Sequence, residues 1–477
     1  MRKGGITVFL TSMLLLFVTL VSACVEAVRF YAVGVEAECA VSMGLDSIFA
    51  EYHRGLLERY DLFFIDSSYG AEQPSYHNTE AHLWDYIAAN LSAADVPVWN
   101  GKDFLDMRLE GVSIVQAALA TDACGRDVKY QAVSYMRERV GIGMIEEIQR
   151  QMDTVRGNGL DVRDVEQEAA EVQAQIDGTP LPEQQLEDGS FVAVSVDNPA
   201  DGVNGGRFRG ILYLVAEQEE LSEQAVNPDN YVSYRTLNKG TGAACGDAAF
   251  SIVDEVLFGE YLIEKCGDYR NPSADGALQY ELEYILAGKS SDMENLRWVA
   301  GRLILLREAA NVMYLYSDST KVSEADVLAW SLAIVSLEPS LQPLIKHSIL
   351  LAWAYAESVL DVRRLFSGEQ VPLLKSRETW RLSLEYMLDY VTHLGEKDEA
   401  QDGLDYEDYL RLLLLLENED TKTMHFMDVI EMNMRKLEGN ESFRMDGCMD
   451  AVRAEVSVSG GFGEYFNLAA QYNYLNR

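Results

Sequence analysis

Residues Ile6–Val25 read ITVFLTSMLLLFVTLVSACV, twenty residues without a charge, a glycine or a proline. As a helix rising about 1.5 Å per residue, this run spans about 30 Å, the thickness of a bilayer's hydrocarbon core. No other feature constrains the chain as strongly, because it fixes a compartment and a topology before any fold is considered. Arg2 and Lys3 precede it, while Glu26, Glu36 and Glu38 follow with only Arg29 nearby. That asymmetry keeps the N-terminus in the cytoplasm and places the C-terminal body outside the cell, as a single-pass membrane protein.

Two other fates compete for the same segment. Val21-Ser22-Ala23-Cys24 has the form of a lipobox, which would make the chain a surface lipoprotein lipidated on Cys24. Val21-Ser22-Ala23 also serves as the small-residue site of an ordinary cleaved signal. The residues after Cys24 contain no proline and no Ser/Gly cluster of the kind that makes a flexible tether. Leu45, Ile48, Phe49, Tyr52, Leu56 and Tyr60 instead recur at helical spacing. The pattern predicts one long helix from the membrane to about Leu62, weakened at Gly34, Gly44 and Gly55 by about 1 kcal/mol each against alanine.

The chain has 477 residues, 77 acidic against 39 basic, and a formal charge of −38, which sets nucleic acid aside as a partner. The charge reads as solubility and self-repulsion of an exposed protein. Cys24 lies in the apolar run. Cys39, Cys124, Cys245, Cys266 and Cys448 would lie outside, an odd number that leaves at least one thiol unpaired. Cys245 and Cys266 are the closest candidate pair, against the plainer reading of buried thiols.

Downstream, the sequence predicts a helix over Glu80–Leu91, a strand within Leu105–Ala120 and a helix over Lys129–Arg156 split at Gly141 and Gly143. From Glu146 to Asp188 there are 12 acidic and 3 basic residues, followed by Pro/Gly-containing stretches, which predicts a linker or insertion. Helices are expected over Ala277–Leu286, Ser291–Tyr316, Ala325–Leu337, Leu344–Phe366, Arg377–His393, Tyr406–Glu417 and Thr423–Lys436. Leu344–Phe366 is very apolar, yet Lys346, His347, Glu357 and Asp361 mark it as a buried bundle helix and not a second span. Ala451–Ser459 alternates like a strand that could pair with Leu109–Ala120 around the base of the long helix.

The expected fold class is therefore α+β, predominantly α: an N-terminal transmembrane and long helix, a small antiparallel sheet and a C-terminal helical bundle. The expected division is membrane segment and long helix over 1–62, a mixed α/β region over 63–175, and an acidic linker or insertion over 176–250. A helical domain over 251–440 and a C-terminal strand and tail over 441–477 complete it.

No motif carries a reaction. His77, Glu80 and His82 cluster, but at neither H-E-x-x-H nor H-x-x-E-H spacing. Gly240–Gly246 is glycine-rich without being G-x-G-x-x-G, and no Walker lysine follows it. There is no C-x-x-C and no G-x-S-x-G. Carboxylate pairs are too common in so acidic a chain to discriminate anything. No catalytic, cofactor-binding or metal-binding residue is expected, and the chain reads as a non-enzyme. An extracytoplasmic enzyme built from scattered residues is the more distant alternative.

Lys3–Phe9, KGGITVF, leads into the apolar run, which Glu26-Ala27-Val28-Arg29 closes. This start resembles that of Tad-pilus pseudopilin-like proteins of the TadE/TadG kind. The segments Ser47–Gly70, Glu281–Leu296, Arg302–Tyr316, Leu351–Lys375 and Asp408–Leu416 resemble an uncharacterised family of Clostridia proteins with the same start. The resemblance implies an uninterrupted membrane helix through Cys24 and partners among other pilus or secretion components. In prepilins the fifth residue after the processing glycine is glutamate; after Gly5 it is Leu10. The function expected is that of a membrane-anchored extracytoplasmic structural or assembly component. The alternative is a surface lipoprotein acting as a ligand-binding or adhesion module.

Overall fold

The computed structural model describes residues 3–91, 105–185, 191–193, 195–196, 198–216, 221–242, 249–393 and 402–475. They form two compact units. One comprises residues 1–135, 235–249 and 430–477, the other 136–234 and 250–429. The strands in chain order are β1 (Ile65–Asp66), β2 (Arg108–Leu119), β3 (Glu183–Gln185), β4 (Phe191–Ala193), β5 (Cys448–Ser459) and β6 (Tyr465–Asn473). The rest of the regular structure is helical, as the sequence predicts.

The first unit contains helices α1 (Lys3–Phe49), α2 (Arg54–Tyr60), α3 (Tyr76–Leu91) and most of α4 (Arg126–Arg137). β5 is the central strand of its sheet. β2 runs antiparallel along one side, and β1 and then β6 follow along the other. Val452, Ala454, Val456 and Val458 fall on one face by the two-residue alternation of a strand and are buried there. Against them pack Ala37, Ala40, Val41, Leu45, Ile48 and Phe49 of α1 and Leu83, Ile87 and Leu91 of α3. The buried α1 positions recur every three or four residues, so one stripe of the helix faces the sheet. Gly44 lies where α1 meets α3: a Cβ there would stand 2.6 Å from Ile87 Cγ1. The glycine that weakens the helix locally is what lets the two helices approach.

The expected pairing of Ala451–Ser459 with Leu109–Ala120 is present, with Ala117 opposite Val452 and Ile114 opposite Ala454. The long helix, however, ends at Phe49 and not at Leu62. Beyond it the His53 amide donates to Phe64 O (2.8 Å), which turns the chain out of the helix. His53 Nδ1 then accepts from the Leu56 amide (3.2 Å) and starts α2, which Asp61 closes in the left-handed conformation at φ 52°. Leu56 and Tyr60 are buried as their spacing predicts, but on a separate helix.

The second unit holds α5 (Ile142–Gly157), α6 (Val165–Asp177), α7 (Ala200–Asn204), α8 (Ile211–Val215), α9 (Ile252–Lys265), α10 (Glu281–Ala287), α11 (Asp292–Ser317), α12 (Ser319–Val335), α13 (Gln342–Phe366), α14 (Tyr406–Leu416) and most of α15 (Glu419–Met434). α13 is its axis: every residue from Ser348 to Val359 is buried, and α6, α7, α8, α11 and α12 pack around it. It is a bundle helix, as its interrupting charges imply.

Two expectations on this unit give way. The acidic stretch before Asp188 is largely helical. α6 buries Val165, Ala169, Val172 and Ile176 against the bundle and turns most of its acids to solvent. Arg377–His393 is not an α-helix but turns with a 3-10 segment at Met387–His393. Buried side chains claim that backbone: Glu357 accepts from the Leu382 amide (2.8 Å), and the Trp353 and Trp380 indoles both donate to Leu382 O (2.9 and 2.6 Å). Helix α9, unforeseen, begins with a Ser251/Asp254 capping box.

Candidate membrane anchor and side-chain clusters

α1 has two halves with opposite surroundings. From Gly5 to Val28 every residue is exposed; from Val33 onward one stripe is buried in the sheet core. Among the described residues α1 is the one helix long and apolar enough to cross a membrane, and its apolar window is 0% buried. Two of its threonine side chains bond back to the helix's own carbonyls. Thr11 Oγ1 donates to Thr7 O (2.9 Å) and Thr19 Oγ1 to Leu16 O (2.9 Å). Such back-bonding removes the need for water along the span. Cys24 sits exposed on this uninterrupted helix.

Aromatic side chains collar the point where α1 passes from exposed to buried. The Arg29 guanidinium lies 3.2 Å from the Phe462 ring centroid, and Phe30 packs on Phe466 at 4.9 Å. Phe462 is in the turn between β5 and β6 and is 72% exposed; Tyr31 and Tyr465 beside it are also exposed. The collar stands about 9 Å along the helix from Val25.

The sequence-flagged clusters do not converge on chemistry. His77 is exposed and 3.6 Å from Glu80. His82 turns away to Glu51, with Nδ1 3.0 Å from the carboxylate and its ring tilted at 36° to that of Tyr69, 4.1 Å away. Among the described residues no group of three or more His, Cys, Asp or Glu could hold a metal. Gly240 and Thr241 lie along β2: the Thr241 amide donates to Ala117 O (2.9 Å), and the Ala117 amide donates to Thr241 Oγ1 (2.9 Å). Of this stretch, Gly240–Gly242 lie against β2 and residues 243–246 lie outside the described residues. Cys266 is buried, and its candidate partner Cys245 lies outside the described residues. Cys448 is a buried thiol donating to Arg444 O (3.5 Å), and burial pushes its pKa up.

Sequence reasoning missed the buried ionic centre of the second unit. Arg307 on α11 pairs with Asp361 (3.0 Å), and Lys375 pairs with both Asp361 and Glu357 (2.6 Å each). Arg307 also donates to Pro372 O and Leu373 O (2.9 and 2.6 Å). All four side chains are buried, so removing one partner would strand a charge. Several buried carboxyls elsewhere are pushed up, Glu283 and Asp450 among them. Glu283 reaches about 8 through burial and the nearby Asp268 charge. Asp450 rises through burial and its contact with Asp127.

No curated protein and no solved structure matches the chain. Residues 192–460 match a family described as a family of unknown function, a stretch that begins beyond α1. Since that match covers more than half of the chain, the protein belongs to the DUF5702 family.

Proposed function

We propose that the protein is a membrane-anchored, extracytoplasmic assembly component without catalytic activity, resembling Tad-type pseudopilin-like proteins in how it is held. One observation carries this reading. A single helix exposes its apolar half completely and locks its other half into a sheet core, with no tether between. The unit packed on such a helix is fixed to its anchor, as a structural subunit requires and a freely tethered binding module does not. In the bilayer, Ile6–Val25 would span the hydrocarbon, and Tyr31, Phe462 and Tyr465 would lie at headgroup level, where aromatic rings are favoured. The acidic body outside would engage other pilus or secretion components.

Protease treatment of intact cells, combined with mass spectrometry of the mature N-terminus, tests the anchor. The expected result is a degraded body and an N-terminus that still includes Ile6. A lipid-modified Cys24 would establish the lipoprotein instead, and a chain starting after Ala23 a secreted protein. The assembly role is tested by deletion, which should abolish surface filaments or secretion; intact filaments together with intact secretion would refute it.

A further inference from the structure

The first unit contains a cavity of about 690 Å³ that the anchor does not use. Its walls are aromatic. Tyr52 and Phe63 meet edge to face at 5.5 Å, Phe63 lies 5.8 Å from Tyr474, and Tyr474 lies 4.8 Å from Phe49. Tyr130 and Tyr135 line it as well.

Two polar groups of the wall are already engaged. The Tyr474 hydroxyl donates to Phe49 O (2.6 Å). The Gln131 side chain accepts from the Phe63 amide (2.7 Å) and donates to Phe63 O (3.0 Å). These bonds fix the rings and reduce what the wall can offer as hydrogen-bonding surface. Phe63 nevertheless remains 38% exposed. Among the described lining residues there is one carboxylate, Asp61, and no lysine or arginine.

The geometry points to a binding site for a small organic cation, an alkylated or quaternary ammonium compound. Aromatic faces attract such a cation through their quadrupoles, at about 0.5–2 kcal/mol per ring depending on desolvation. Its alkyl groups match the apolar wall, and Asp61 supplies the countercharge. An anionic ligand would find no lysine or arginine among the described lining residues. The net charge of −38 raises the local concentration of any cation around the body. This inference is independent of how the chain is anchored.

Calorimetric titration of the full chain in detergent, with choline and with its uncharged isostere 3,3-dimethylbutanol, tests it. Choline should bind saturably, and the isostere at least about tenfold more weakly. Asp61→Asn keeps a residue suited to the left-handed backbone and should weaken choline about tenfold. Phe63→Leu, which preserves apolar volume without the ring, should weaken it further, with circular dichroism showing an intact fold. Equal binding of the two ligands, absence of saturable choline binding, or choline binding unchanged in both variants would each overturn the assignment.

Discussion

At the scale of single residues, the most informative group is Glu283. Tyr406 donates its hydroxyl to Glu283 Oε1 (2.6 Å), and the Tyr269 amide donates to the same oxygen (2.9 Å). With its carboxyl raised to about 8, the folded protein holds a proton that the unfolded chain releases near its ordinary value of 4.5. Stability from this group is therefore complete below about pH 4.5 and is lost as pH rises towards 8. Glu283→Gln keeps the accepting oxygen and removes the titration. Urea unfolding should find wild type and variant close at pH 4.5, with the variant more stable by about 4 kcal/mol at pH 8.5. An unchanged difference across that range would show that Glu283 is not protonated in the fold. None of this is legible in the sequence, where Glu283 is one acid among 77. Only burial distinguishes it.

At the scale of elements, helices with a clean apolar period are readable and those defined by buried charge are not. α11 starts at its Ser291 cap and α13 is the buried helix its composition implies. The Arg377–His393 stretch carries an equally helical pattern, yet Glu357 and Lys375 take its backbone groups for the ionic centre. α6 errs the other way, its acidity masking a regular buried stripe. The exposed half of α1 is where a prediction has the sharpest consequence. Leu16→Arg places a charge near the middle of the span, at a cost of about 2.5–3.5 kcal/mol on the insertion scale. It should shift the protein from the membrane to the soluble fraction or reduce its level, whereas Leu16→Ile should not. Equal membrane recovery of both variants would show that Ile6–Val25 does not hold the protein in the bilayer.

For the whole molecule, the governing quantity is charge. A net charge of −38 repels itself in any compact state, and salt screens exposed charges within a Debye length of about 8 Å at 0.15 M. The buried pairs, such as Arg307–Asp361, are shielded from that screening. Raising sodium chloride from about 0.02 to 0.5 M should therefore increase the melting temperature by several degrees. A fall would mean that surface ion pairs outweigh the repulsion. By itself the sequence determined the apolar span, the helical class and the strand pair that closes on α1. Each of these follows from local composition or period, which water and lipid read directly. Tertiary structure alone decided where the long helix stops, which acids keep their protons, and which rings gather into a cavity around Phe63. Those outcomes depend on residues far apart in sequence meeting in a low-dielectric interior.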